Sequence, residues 1–159
     1  MSKYYHLFLD DDPKRIPHKL SWIELPPVEW TIVRNYKDFI NTIKQNGIPA
    51  SISFDHDLDD SAYKEYFRAN ESDKIINYNN IKEPTGMHCA DWLVNYCVDN
   101  CIPLPPYYMH TLNYMGAANI YRVMENGRKY LMSFTIQDMT SEEKSAWRDR
   151  MKKRKEANE

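Results

Sequence analysis

Two short apolar runs in the first third of the chain each break off at titratable residues. Leu7-Phe8-Leu9 meets Asp10-Asp11-Asp12-Pro13, and Ile52-Ser53-Phe54 meets Asp55-His56-Asp57. A continuous apolar run of this length is the pattern of a strand covered on both faces, as in a parallel sheet. The acidic break then marks the carboxyl edge, where the chain leaves the sheet. Runs of similar character at residues 30–34, 105–109 and 130–136 complete an expected set of five strands.

Helical signals separate most of these runs. Asn35 is a ready N-cap, Tyr36, Phe39, Ile40 and Ile43 follow i, i+3, i+4, i+7 spacing, and Gly47 stands where a helix ends. Thr85-Gly86 opens a second helix with Ala90, Leu93, Val94, Cys97 and Val98 on one face. A third is expected over 116–124 with Gly127 beyond its end, and Thr140 with Glu143 forms a capping box for a fourth running to about residue 155. Prolines at 13, 17, 26 and 27 leave an irregular crossing in place of a first helix. Residues 58–84 are polar and read as a long irregular insertion of the kind that forms lids. This order predicts an α/β fold in one domain, 1–159. Its sheet would be an open, parallel, flavodoxin-like or receiver-like one of five strands with helices on both faces.

Composition narrows the class. With 159 residues, 42% hydrophobic and 28% charged, the chain has the make-up of a packed globule. A formal charge of −2 gives no general attraction to nucleic acid or anionic lipid, so any such contact is local. No apolar run approaches a membrane span, and the Met-Ser-Lys start lacks a signal-peptide core, so a cytoplasmic location is expected. Cys89, Cys97 and Cys101 show no metal-type spacing and read as buried apolar thiols, the last two sharing a helix face. A tilt toward Ile, Lys, Asn and Tyr (12 Tyr against 4 Gly) points to an AT-rich coding genome, that of a phage or a low-GC bacterium.

In open parallel sheets, functional groups collect at the carboxyl ends of the strands, at the switch point of the strand order. That rule gathers Asp10, Asp11 and Asp12 from strand one, Asp55, His56 and Asp57 from strand three, and His110 from strand four. So many like charges on one rim repel one another unless protons or a cation neutralise them. Hard oxygen donors select Mg²⁺, Mn²⁺ or Ca²⁺, ions that keep open positions for phosphate oxygens. Either acidic break alone is also ordinary turn composition. Three strands ending this way at one edge point to a site.

An ordered set of segments carries a resemblance. Leu7-Phe8-Leu9-Asp10-Asp11, Val33-Arg34-Asn35-Tyr36, Ile52-Ser53-Phe54-Asp55-His56-Asp57-Leu58, Thr85-Gly86 ahead of Trp92-Leu93, and His110-Thr111-Leu112-Asn113 follow in sequence. Together, over roughly residues 4–125, they resemble the cyclic-phosphate-processing receiver-like family, a branch of the response-regulator receiver fold. The resemblance implies a phosphoesterase acting on cyclic phosphates. Its site would have Asp10, Asp11, Asp55 and Asp57 as ligands of Mg²⁺ or Mn²⁺, and His110, His56 and Asp55 as catalytic groups. Thr85, Thr111 and Asn113 would contact substrate, although a helix cap explains Asn113 equally well.

Against a phosphoaccepting receiver, Asp10 and Asp11 match the paired metal-binding acids and Asp55 the phosphoacceptor, but Ile136-Gln137-Asp138 stands where the lysine of strand five belongs. Signal reception is disfavoured. The expected substrate is a nucleotide or RNA end bearing a cyclic phosphate, with a second reading of a silent module that binds phosphorylated ligands or a protein partner. In the first reading His110 or His56 supplies the proton to the departing ribose oxygen. The basic run Arg148 to Lys155 is a candidate local RNA contact, and Tyr63, Tyr66, Phe67 and Tyr78 either stack on bases or bury the insertion.

Overall fold

The computed structural model describes residues 3–138 and 140–157, the side chains of 134–138, 151, 154, 155 and 157 excepted. Four strands, β1 (His6–Leu9), β2 (Trp30–Val33), β3 (Ser51–Phe54) and β4 (Tyr107–Met109), form one parallel sheet in the order β2-β1-β3-β4. Around it run α1 (Tyr36–Asn46), α2 (Asp60–Asn70), α3 (Gly86–Asp99), α4 (Tyr114–Asp138) and α5 (Ser141–Ala157).

Side-chain alternation along the strands separates two faces. Leu7, Leu9, Ile52 and Phe54 point one way into the main core, where Phe39 and Ile43 of α1, Cys89, Ala90 and Leu93 of α3, and Ile120, Met124 and Leu131 of α4 pack on them. Helices α1, α3 and α4 therefore share one face. His6 and Phe8 with Ser51 and Ser53 have the opposite parity. On that side Phe8 and Trp30 meet Leu25, Leu20, Ile23 and Val28 from the irregular 13–29 crossing, which contains only one short 3₁₀ turn, Pro17–Lys19.

The expected fifth strand is absent: residues 130–136 continue α4. Ile120, Met124, Gly127 and Leu131 stand at i, i+4, i+7 and i+11, one helical stripe along α3. Gly127 is there because α3 comes close, not because the helix ends. A Cβ on it would lie 2.6 Å from Val94 Cγ1. The insertion also differs from expectation, since residues 60–70 form α2. Its buried positions are Ala62, Glu65 and Ala69, which carry no apolar periodicity in the sequence. Cys97 is buried, but Cys101 lies past the end of α3 with a φ of 53° and is exposed.

Capping follows the sequence closely. Asn35 Oδ1 accepts from Asp38 N at 2.8 Å, Gly47 takes a φ of 86°, and Thr140 and Glu143 exchange both bonds of their box. Thr85 caps α3 together with His88, whose Nδ1 accepts from Thr85 N at 2.9 Å. Gly86 lets this helix start abut β3: its N–H donates to His56 O at 2.8 Å, and a Cβ there would fall 1.9 Å from Asp55 O. Gly86→Ala must therefore move backbone, whereas Gly127→Ala meets the Val94 side chain and gains about 1 kcal/mol of helix propensity. Urea unfolding is expected to show Gly86→Ala losing about 3 kcal/mol and Gly127→Ala less than half of that. Equal losses would contradict the close approach at Gly86.

Candidate active site

The parallel ladders continue one residue past each strand. Asp10 N donates to Val33 O (3.1 Å), Asp55 N to Leu9 O (2.9 Å) and His110 N to Phe54 O (3.0 Å). These bonds bring the first residue after β1, β3 and β4 to one level of the sheet edge. By alternation all three share the face of Phe8 and Ser53. Carboxylate oxygens of Asp10, Asp11 and Asp55 lie within 4.8 Å of one another. In front of them opens a cleft of about 520 Å³, lined by Asp11, Asp12, Arg15, Asp57, Asp59, Asp60, Tyr63, Tyr66, Thr111 and Asn113 among others.

Asp10 is the buried floor of this cluster. One of its oxygens accepts from Asp12 N at 2.9 Å, and the other faces His110 Nε2 at 2.9 Å. His110 is itself fully buried, stacked on Phe8 with ring centroids 4.3 Å apart, and its Nδ1 lies 2.7 Å from Ser53 Oγ. Burial lowers its pKa against the pull of Asp10. A neutral ring that donates from Nε2 to Asp10 and accepts at Nδ1 from the serine hydroxyl satisfies all three groups.

The second imidazole, His56, is also fully buried. Nδ1 donates to Asp57 Oδ1 (2.6 Å) and Nε2 accepts from the Tyr78 hydroxyl (3.0 Å), whose oxygen in turn accepts from Asn119 Nδ2 (2.9 Å). Gly116 makes room for the ring, since a Cβ there would be 2.3 Å from His56 Cγ. Both imidazoles thus stand behind carboxylates, each with both nitrogens engaged, and neither lines the cleft.

Asp57 does line the cleft, but its Oδ1 is held by His56 and by Asn113 Nδ2 at 3.0 Å, apart from the three-carboxylate group. Asn113 serves both purposes that its sequence context allowed. Its Oδ1 caps α4 through Gly116 N at 2.8 Å while its amide faces the cleft. Thr111 lines the cleft, and Thr85 is a buried cap behind it. The insertion's rings divide: Tyr66 packs on Tyr114 and the small Ala69, Ile76 and Met115 cluster, Tyr78 anchors to His56, and Tyr63 stays exposed on the cleft wall. Arg148, Arg150, Lys152 and Lys153 on α5 are exposed and none lines the cleft.

Two arginines to which the sequence pattern assigns no role hold the acidic loop after β1. Arg34, just after β2, donates to the carbonyls of Asp10 (2.9 Å) and Asp12 (2.7 Å), tying down the acidic loop. Arg15 lies 3.5 Å from Asp10 Oδ2 and 3.8 Å from Asp55 Oδ2, with its guanidinium over the Trp22 ring. A lone cation two residues beyond a proline, in a segment without periodicity, gives no sequence signal.

Comparison with models of known families matches residues 5–126 to the cyclic-phosphate processing receiver domain. The chain belongs to that family. No curated protein and no solved structure matches it. The match spans all four strands, α1, α3 and the first half of α4. In this receiver domain the acid pair after β1 and the acid after β3 sit together, while the place of a receiver's fifth strand, with its lysine, is taken by the continuation of α4. Among the described residues no helix is long and apolar enough to cross a membrane.

The clustered charges give a pH signature. Burial, Asp10 and Asp57 push Asp55 up to about 8, with Arg15 opposing them, and burial with Asp10 pushes Asp11 up to about 6. Unfolded, each would titrate near 3.8. Between those limits these two acids keep protons in the folded chain that they give up on unfolding, so their contribution to stability falls as pH rises from about 4 to about 8. In chelator the melting temperature is expected to fall across that window, and Asp55→Asn to remove most of the slope. A melting temperature that climbs from pH 5 to pH 8 would contradict this electrostatic picture.

Proposed function

We propose that this receiver domain is a metal-dependent phosphoesterase that opens a cyclic phosphate on a nucleotide or an RNA end. The observation that carries the reading is the close group of Asp10, Asp11 and Asp55 at the floor of an open cleft, in a chain of this family. Three hard oxygen donors in mutual reach, with Asp55 driven toward its protonated form by its neighbours, fit a divalent cation such as Mg²⁺ or Mn²⁺. Those three residues would hold the ion, which when bound would neutralise the cluster and polarise a phosphoryl oxygen.

The protein groups have distinct tasks in this reading. His110 acts through Asp10, holding that carboxylate in one orientation with Ser53 behind it, as outer-shell imidazoles do for metal ligands. Asp57 and His56 form the hydrogen-bonded titratable pair at the cleft outside the ligand group. Asp57 faces the departing ribose oxygen and His56 replenishes its proton from behind. Asn113 fixes Asp57, and Thr111 offers a hydroxyl to the ligand. The engagement of both nitrogens on both imidazoles is the one observation that favours the second reading, a phosphate-binding module without turnover.

Release of phosphomonoester from 2′,3′-cyclic AMP with added Mn²⁺ separates the two. Turnover is expected to vanish in chelator and to fall at least about 100-fold in Asp55→Asn. Asp57→Asn should lower kcat while leaving Mn²⁺ binding close to wild type. Tight ligand binding without turnover in the wild type would leave only the module. Turnover indifferent to chelator would remove the cation from the reaction.

A further inference from the structure

Resting on that reading of the cleft, we infer that Arg15 is its phosphate-binding arginine and that the ligand is a small cyclic phosphodiester with a single negative charge. Its class is a cyclic mononucleotide rather than the end of an RNA strand. The guanidinium stands 3.5 Å from Asp10, 3.8 Å from Asp55 and 4.0 Å from Asp12. These are ion-pair distances, yet among the described residues none of its side-chain N–H groups makes a hydrogen bond. Arg15 is thus paired by charge through Nη1 and Nε and sits over Trp22, with its centre 5.5 Å from the ring, while its Nη2 takes part in none of these ion pairs. Trp22 is in turn pinned by its Nε1–H to His110 O at 2.7 Å. A planar guanidinium over an indole, held only by long ion pairs beside the carboxylates suited to a dication, is placed to exchange those contacts for N–H bonds to a phosphodiester.

Charge sets the size of the ligand. Six carboxylates line the cleft (Asp11, Asp12, Asp55, Asp57, Asp59 and Asp60), and Arg15 is the one cation among the lining residues. Even with a dication bound the wall remains net negative. Single-strand RNA is ordinarily held by a cationic groove that tracks its backbone. Inside the cleft each further phosphate would lie within a Debye length, about 8 Å, of several carboxylates, with no lining cation besides Arg15. The basic residues of α5 do not line the cleft. One phosphate, beside Arg15 and the carboxylates that would hold the ion, is as much negative charge as these groups would offset locally. Exposed Tyr63 on the same wall gives a base a ring to stack on.

The reaction itself sharpens the preference. Water oxygen forms a bond to phosphorus, one ring P–O bond breaks, and the proton passes to the departing ribose oxygen. A monoanionic diester becomes a monoester whose second ionisation, near pH 6, makes it largely dianionic at neutral pH. The acidic wall that tolerates the substrate repels that product and hastens its release.

The test compares 2′,3′-cyclic AMP with an RNA oligonucleotide ending in a 2′,3′-cyclic phosphate, both with Mn²⁺, in wild type, Arg15→Lys and Arg15→Met. Binding is read by calorimetry and turnover separately. The mononucleotide is expected to show kcat/KM at least about tenfold above the oligonucleotide. Arg15→Met should cut it about 100-fold, and Arg15→Lys should recover only part, because an ammonium lacks the fork. Mn²⁺ affinity should hold or tighten in both variants, which also shows that they fold. Equal use of the two probes, or unchanged mononucleotide affinity in Arg15→Met, overturns the inference and leaves the hydrolase reading intact. Arg15-dependent binding of the mononucleotide without turnover does the reverse. No binding of either probe overturns both.

Discussion

Three backbone hydrogen bonds beyond the ends of the strands organise this molecule. Adjacent parallel strands stand about 4.8 Å apart with their residues in fixed register. When the ladder runs one residue past Leu9, Phe54 and Met109, the groups that follow are locked side by side. Asp10, Asp55 and His110 have no freedom to drift into solvent, because their amides are spent on the sheet. Alternation then sends all three to one face. The His110 ring passes over Ser53, stacks on Phe8 and reaches Asp10 from two strands away.

Holding carboxylates together in this way opposes folding, and the surroundings offset it piece by piece. Arg34 clamps the carbonyls of the acidic loop, Arg15 supplies positive charge at the mouth, and backbone amides of Asp12 and His56 bond to the carboxylates of Asp10 and Asp55. What remains is a strong preference of the cluster for protons or a cation. A site that stayed neutral in isolation would have no such preference. The strain on the fold and the capacity to bind are the same electrostatic fact.

The insertion between β3 and α3 is built into the cleft rather than hung above it. Buried Glu65 accepts from Arg68, Asn77 N and Asn80 Nδ2, which folds the 71–81 segment back against α2 and depresses that carboxyl to about 2. The returning segment delivers Tyr78 to His56, which reaches Asp57 through its other nitrogen, and Asp57 in turn holds Asn113. In this way α2 supplies the outer wall, with Tyr63 and Tyr66, and the 71–81 segment braces the inner one.

Local chemistry was readable along the chain. Apolar runs marked four strands, Asn35, Thr85 and Thr140 marked helix starts, and acidic breaks after the first and third strands marked the rim, because each signal depends only on neighbours in sequence. Residues whose meaning depends on a distant partner were not readable. Gly127 stands at an interhelical contact with Val94, so it looked like a terminator and concealed the length of α4. Glu65 is buried because Arg68, Asn77 and Asn80 satisfy it, so α2 had no apolar stripe to betray it. His56 and His110 could be assigned to the rim but not to a depth. Whether an imidazole faces solvent or backs a carboxylate is settled by what packs around it, here Gly116, Tyr78, Phe8 and Ser53. The pattern of residues determined which groups share an edge, and tertiary packing alone decided which of them are presented to a ligand and which hold the others in place.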